Sequence, residues 1–195
     1  AFQKNMVKLN YRHGMLAYQH RHHFTSVDWN TCNQALGLLQ DITTKILDPK
    51  GKPCSKLAVA LIDRPSWFAK RSIHDIKLLK AISAAESNAL LNQMRKLSKA
   101  VSAEQSHLPY VPITQPFDFS QIPQASIIEI VRPNWALREK IGTNLNVSHI
   151  GFAIWKGGQL FYRHASSESK KVEDVLLTDY LQNCSKSPTI GGINV

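Results

Sequence analysis

The chain has 195 residues, 43% hydrophobic and 19% charged, with 24 Lys and Arg against 14 Asp and Glu for a net charge of +10. That length buries one core without internal repeats, no run reaches the roughly 18 uncharged apolar residues of a membrane span, and three cysteines are too few for a disulfide scaffold. The charge favours an anionic partner: nucleic acid, an anionic membrane surface, or the acidic polymers of a bacterial envelope.

The opening AFQKNMVKLN disperses its apolar residues and so makes no signal peptide. Phe2, Met6 and Leu9 sit on one face of a helix already under way, which leads us to expect the C-terminal part of a longer protein. Residues 11–29, YRHGMLAYQHRHHFTSVDW, read as strand or ordered loop. A short helix is predicted over Asn30 to Leu39, capped by Asn30 or Thr31, and a strand over Lys56 to Ile62, ended by Asp63-Arg64-Pro65. From Ser72 to Val101, Leu79, Ile82, Leu90, Met94, Leu97 and Val101 keep helical spacing. Lys77, Lys80, Glu86, Arg95 and Lys99 fall mainly on the solvated face.

The segment Pro109 to Pro123 carries Tyr110, Ile113, Phe117 and Phe119 and reads as an ordered crossing loop. Strands are predicted over Ser126–Val131, Val147–Trp155, Gln159–Ala165 and Thr189–Val195, with a helix over Val175–Asn183. The reading is therefore one α+β domain, 1–195, with a helical and loop-rich part over 1–125 and an antiparallel sheet part over 126–195.

The stretch VSHIGFAIWKGGQLFYRHASS (147–167) is a hairpin closed by Gly157-Gly158, since both glycines tolerate the positive φ of the favoured turns. With those glycines at the turn centre, Trp155 faces Leu160, Ala153 faces Tyr162 and Gly151 faces His164. His149 and His164 then become diagonal neighbours on one face, roughly 5.5–8 Å apart at the backbone. The opposite face carries Ile150, Phe152 and Ile154, expected to be core. The small Gly151 and Ala153 leave space beside the imidazoles for another element or a substrate. On pattern alone the two histidines are either a working pair or hydrogen-bonded sheet residues.

Ser-His-Ile-Gly-Phe (148–152), a glycine turn and His164-Ala165-Ser166 resemble the catalytic hairpin of the NlpC-type, papain-like cell-wall peptidases. Tyr11-Arg12-His13-Gly14, Arg21-His22-His23-Phe24, Asp28-Trp29, Asp41-Ile42-Thr43, Ser126-Ile127-Ile128 and Ile190-Gly191-Gly192-Ile193 are similar to the N-acetylmuramoyl-L-alanine amidase-like branch. The resemblance covers nearly all of residues 8–195. It implies a papain-like fold of helices on an antiparallel sheet, lacking its N-terminal portion here. It also implies amide hydrolysis through an acyl-thioester, with His149 as general base and His164 as the residue that orients it. The family's nucleophile, a cysteine opening a helix in an Asp-Cys context, has no counterpart in this chain and would lie before Ala1.

Of the cysteines present, Cys32 is the substitute candidate, because a predicted helix N-terminus lowers a thiol pKa; Cys54 and Cys184 read as incidental. Arg21, His23, Asp28 and Trp29 are expected to line the substrate cleft, with Tyr162 bordering it; the alternative is a packing motif in which Arg21 and Asp28 tie down a loop. His20-Arg21-His22-His23 lacks a complete ligand set, so no metal and no cofactor are expected. The expected partner is peptidoglycan or a muropeptide. Nucleic acid is not expected, since the basic residues are scattered without a recognition motif. A binding or regulatory module that kept the fold without the thiol is the alternative function. An enzyme acting on peptidoglycan would be periplasmic or at the cell surface, its export signal upstream of this chain.

Overall fold

The computed structural model describes residues 2–76 and 82–195. Contacts gather the chain into two units, each drawn from three sequence segments: Ala1–Leu39, Leu61–Ser106 and Ala136–Leu145 form the first, and Gln40–Ala60, His107–Trp135 and Asn146–Val195 the second.

The first unit holds helices α1 (Phe2–Asn10), α2 (Asn30–Ala35), α3 (Arg64–Ala69), α4 (Ala84–Ala100) and α5 (Arg138–Ile141). Residues 11–29, expected as strand or loop, form short helical turns at Arg12–Gly14, Tyr18–His20 and Thr25–Trp29. Asp63 caps α3 by accepting from the Ser66 amide at 3.0 Å, and its own amide donates to Thr143 Oγ1 at 2.6 Å.

The single helix expected from Ser72 to Val101 is instead two starts. Ser72 and Asp75 form a capping box on the short turn Ile73–Asp75, and Ser83 and Glu86 form another that opens α4. Each box satisfies orphan amides and so nucleates its own turn. The expected positions Lys77, Leu79 and Lys80 lie outside the described residues. Within α4, Met94 is buried and Leu90, Leu91 and Leu97 partly so, while Glu86, Arg95 and Lys99 are exposed.

The second unit is built on a seven-strand sheet of order β1 (Lys56–Ile62), β2 (Glu104–Pro112), β7 (Gly192–Asn194), β3 (Ile127–Trp135), β4 (Leu145–Lys156), β5 (Gln159–Ala165) and β6 (Val172–Leu176). The ends of β1, β2 and β4 count with the first unit. Pairs β2–β7, β3–β7, β4–β5 and β5–β6 are antiparallel. With helix α6 (Leu177–Cys184) packed in the same core, this is an α+β architecture. Two strands precede residue 126, so the sheet is not confined to the C-terminal part. β2 also takes the start of the expected crossing loop.

The core of this unit joins Ile46, Val111, Ile122, Ile128, Ile130, Ala153, Tyr162, Leu177 and Ile193. The three-residue β7 lies inside the sheet and is fastened from both sides. Asn194 Nδ2 donates to Asp41, to Thr43 Oγ1 and to the Pro109 carbonyl, and Thr43 Oγ1 also accepts from the Val195 amide at 2.8 Å. At Gly192 a Cβ would collide with the Val111 carbonyl, so only glycine lets β2 approach β7 this closely.

Candidate functional site

The hairpin β4–β5 has the register set by its glycine turn: Trp155 pairs with Leu160, Ala153 with Tyr162 and Gly151 with His164. Gly157 and Gly158 both take positive φ, 53° and 77°. The diagonal placement brings His149 Nε2 to 2.8 Å from His164 Nδ1, with the rings nearly perpendicular at 86°. His149 is half-buried and His164 is 8% exposed. Burial lowers the His149 pKa from its ordinary value, and the neighbouring His164 lowers it further. His149 is therefore a neutral imidazole at pH 7, able to take a proton. Its Nδ1 has no hydrogen-bond partner among the described residues.

The hairpin's two faces are reversed from the expected burial. Ile150 and Phe152 are exposed, Phe152 at 49%, whereas Ala153, Leu160 and Tyr162 on the histidine face are core. The cause is α6, whose Leu177 and Leu181 pack in that same core. Arg163, paired with Phe152 across the ladder, marks the solvent face. Of the two occupants expected beside the imidazoles, another element is the one found, since Tyr180 of α6 packs against both rings. The Tyr162 ring occupies the room that Gly151 leaves, so that a Cβ at 151 would overlap it.

Tyr162 stacks on His164 at 5.1 Å and is fully buried, donating its hydroxyl to the Ile128 carbonyl at 3.4 Å. Burial, reinforced by Tyr180 and Cys184, raises its pKa far above the ordinary phenol range. It supports the histidines from below and has no surface to offer a substrate.

Two further groups complete this cluster. Tyr180 on α6 lies 5.1 Å from the His164 ring and 4.7 Å from Tyr162, its pKa pushed up to about 12 by burial. It shares a hydrogen bond with Cys184 one turn on, whose thiol pKa is raised by burial. Glu173 on β6 pairs directly with His164 in the ladder, its Oε1 3.9 Å from His164 Nε2. Glu173 carries no signal in the sequence, because Val172-Glu173-Asp174-Val175 does not alternate as a half-buried strand would.

Arg21, His23, Asp28, Trp29 and Cys32 all lie in the first unit. Asp28 is 4% exposed and held by Arg12, through both oxygens at 3.0 Å, and by Arg64 at 3.2 Å. Arg21 is exposed and joins Tyr11 in an isolated bridge, so the arginines that tie Asp28 are Arg12 and Arg64. Trp29 donates its indole N–H to Asn10 Oδ1 at 3.1 Å.

The Cys32 thiol is raised, first by burial and then by Asp28, opposite to the lowering expected of a helix N-terminus. The reason is local: Thr25–Trp29 is already helical and runs straight into α2, so Cys32 meets no free helix start. Cys54 is buried, bonds the Ile46 carbonyl at 3.4 Å and is likewise raised by burial. All three thiols are therefore held in the neutral, poorly nucleophilic form.

His23 packs among Tyr18, Trp67 and Phe68 at 4.6–5.8 Å, and its Nε2 donates to the Tyr18 carbonyl at 2.8 Å. Burial lowers its pKa from 6.5 to about 4. The depressed value means that the unfolded chain takes up a proton before the folded one does. Its stability contribution is complete above pH 6.5 and falls away as pH drops towards 4, by about 3 kcal/mol over that window. Thermal unfolding of His23→Phe is expected to lose that much of the wild-type slope between pH 6.5 and 4; an unchanged slope would refute a neutral buried His23.

The chain is similar to known amidases along nearly its whole length. Residues 1–190 match the family model described as AmiA-like, N-acetylmuramoyl-L-alanine amidase-like. A solved protein from Legionella pneumophila is 44% identical with a TM-score of 0.90; the match covers 99% of this chain and 67% of that one. A protein provisionally named a xylanase, from Bacteroides fragilis, is 28% identical over 99% of this chain and 73% of that one, with a TM-score of 0.62. An N-acetylmuramoyl-L-alanine amidase from Bacteroides uniformis is 25% identical over 99% and 72%, with a TM-score of 0.60. No curated protein matches the chain.

Proposed function

Since the chain belongs to the AmiA-like, N-acetylmuramoyl-L-alanine amidase-like family, we propose that it is a peptidoglycan amide hydrolase whose histidine pair serves a cysteine nucleophile. The observation that carries this reading is the 2.8 Å contact between His149 Nε2 and His164 Nδ1. It leaves Nδ1 of a neutral, half-buried imidazole to face a reacting group.

In the proposed reaction His149 Nδ1 takes the thiol proton and the thiolate attacks the amide carbonyl. The imidazolium then gives that proton to the leaving amine, which departs and leaves an acyl-thioester. Water, deprotonated by His149, attacks the thioester, and the thiolate leaves with an acid as product. His164 accepts from His149 Nε2–H throughout and spreads the imidazolium charge. This is the papain-like, NlpC-type division of labour.

Cys54 is bonded to the Ile46 carbonyl and Cys184 to Tyr180, and burial raises all three thiols, so the proposed nucleophile is a cysteine outside these 195 residues. The +10 charge suits a polymer whose stem peptides carry carboxylates, and that substrate puts the protein in the periplasm or at the cell surface. The glycosidase name of one neighbour finds less support. Glycoside hydrolysis uses two carboxyl groups about 5–9.5 Å apart, whereas the polar pair on this sheet is two imidazoles.

The test is digestion of purified peptidoglycan by the longest natural form and by the 195-residue chain, with products read by mass spectrometry. Amide cleavage by the longer form, abolished by thiol alkylation, is the expected result; its mass pattern tells muramoyl–L-alanine cleavage from cleavage within the stem. Binding to the polymer without any released fragment would overturn the reading in favour of a non-catalytic module.

A further inference from the structure

We infer that Glu173 is a positioning residue that fixes which nitrogens of His149 and His164 carry protons. The catalytic consequence rests on the amidase reading, but the proton placement itself does not.

An N–H···N contact between two neutral imidazoles has two arrangements. Either His149 Nε2 donates to His164 Nδ1, or the reverse, and each fixes the far nitrogens of both rings. The 2.8 Å contact does not distinguish them. Glu173 does. Its Oε1 lies 3.9 Å from His164 Nε2, and the two residues pair directly across β5 and β6.

The carboxylate is held by the Ser166 and Ser169 side chains, whose hydrogen bonds lead the effects that keep its pKa below the usual range; His164 and Lys171 act in the same direction. The turn that presents those serines is closed by the Ser169 amide on Ser166 Oγ at 3.1 Å and by the Ser166 amide on the Lys171 carbonyl at 2.9 Å. At 3.9 Å the carboxylate acts through its charge, being beyond direct hydrogen-bond range. A proton on His164 Nε2 faces a negative charge favourably, whereas a lone pair there would face it unfavourably. The ring's other titratable neighbours, Tyr162 and Tyr180, both have raised pKa values and stay neutral.

With Nε2 protonated, His164 Nδ1 is an acceptor and His149 must donate from Nε2. His149 Nδ1 is then the bare nitrogen. In the reverse arrangement a hydrogen would occupy His149 Nδ1, and the base would be blocked on the side that faces the nucleophile. Glu173 thus selects the tautomer in which His149 can accept a proton.

The experiment is imidazole ¹⁵N NMR of the histidine-labelled protein above pH 7, as wild type, Glu173→Gln and Ser166→Ala. Wild type is expected to show both histidines protonated at Nε2 and bare at Nδ1. Glu173→Gln is expected to raise the reverse tautomer severalfold, and Ser166→Ala, which loosens the carboxylate without removing it, to raise it less. Protonated Nδ1 on His164 in wild type, or identical tautomers in all three proteins, would overturn the inference. In the active form, Glu173→Gln is expected to reduce kcat/KM by about 10–100-fold, as loss of a group that orients a reacting one does. Tautomers that shift as expected in proteins that never cleave peptidoglycan would uphold the role of Glu173 and remove the amidase reading alone.

Discussion

Replacing His149 with alanine is expected to lower kcat/KM for peptidoglycan amide hydrolysis by about a thousandfold, within the range for loss of a general base. The His149 ring is half-buried and its only hydrogen bond among the described residues is to His164, so the folded sheet should persist. The depressed His149 pKa adds a second expectation. A base is active when neutral, so the acid limb of the wild-type kcat/KM profile should inflect below pH 6.5, the ordinary histidine value. His164→Ala should cost activity as well, but also stability, because that ring is buried between Tyr162 and Tyr180. Activity within tenfold of wild type in His149→Ala, with the fold intact, would remove His149 from the chemistry.

The largest stability effect is expected at Asp28. Its carboxylate joins Arg12 and Arg64, whose side chains are 25% and 15% exposed. Arg64 continues to Glu104 at 2.9 Å and to the Ser102 carbonyl at 3.0 Å. Asp28→Ala would leave two partly desolvated guanidinium groups facing an apolar gap. Breaking a buried pair in this way costs about 3–5 kcal/mol, which in a chain of this size lowers Tm by roughly 10 °C. A substrate contact would behave differently, with KM rising and Tm unmoved. That second pattern would return Asp28 to the cleft wall; the first would make it a fastener within its own unit.

The sheet was legible in the sequence where short-range rules decide it. Gly157-Gly158 set a register from which the His149–His164 contact follows, because a two-residue turn leaves no freedom in strand pairing. Lys56–Ile62 and Gln159–Ala165 begin and end where expected. β2 was not legible, since Pro109 and Pro112 argue against a strand and Gln105, Ser106 and His107 do not alternate. Its place between β1 and β7, with β7 pairing at Val111 and Pro112, makes it one.

The covered face of the hairpin was misread for a related reason. Ile150, Phe152 and Ile154 form as good an apolar stripe as Ala153, Leu160 and Tyr162, and what separates them is the distant α6. The paired positions held the missing clue in Arg163. Of the candidate site, the two histidines could be found because they share one hairpin. Tyr180 and Glu173 could not, because their approach depends on long-range packing and on a strand mistaken for the start of a helix.

The position of β7 has a consequence for how this protein is made. β2 and β3 share no ladder; each pairs instead with residues 192–194. During synthesis from the N-terminus both strands leave the ribosome long before their common partner. Each carries an unsatisfied row of amides and carbonyls meanwhile, the feature by which strands join wrong neighbours. Completion of the sheet therefore waits on three residues that emerge after every other strand described.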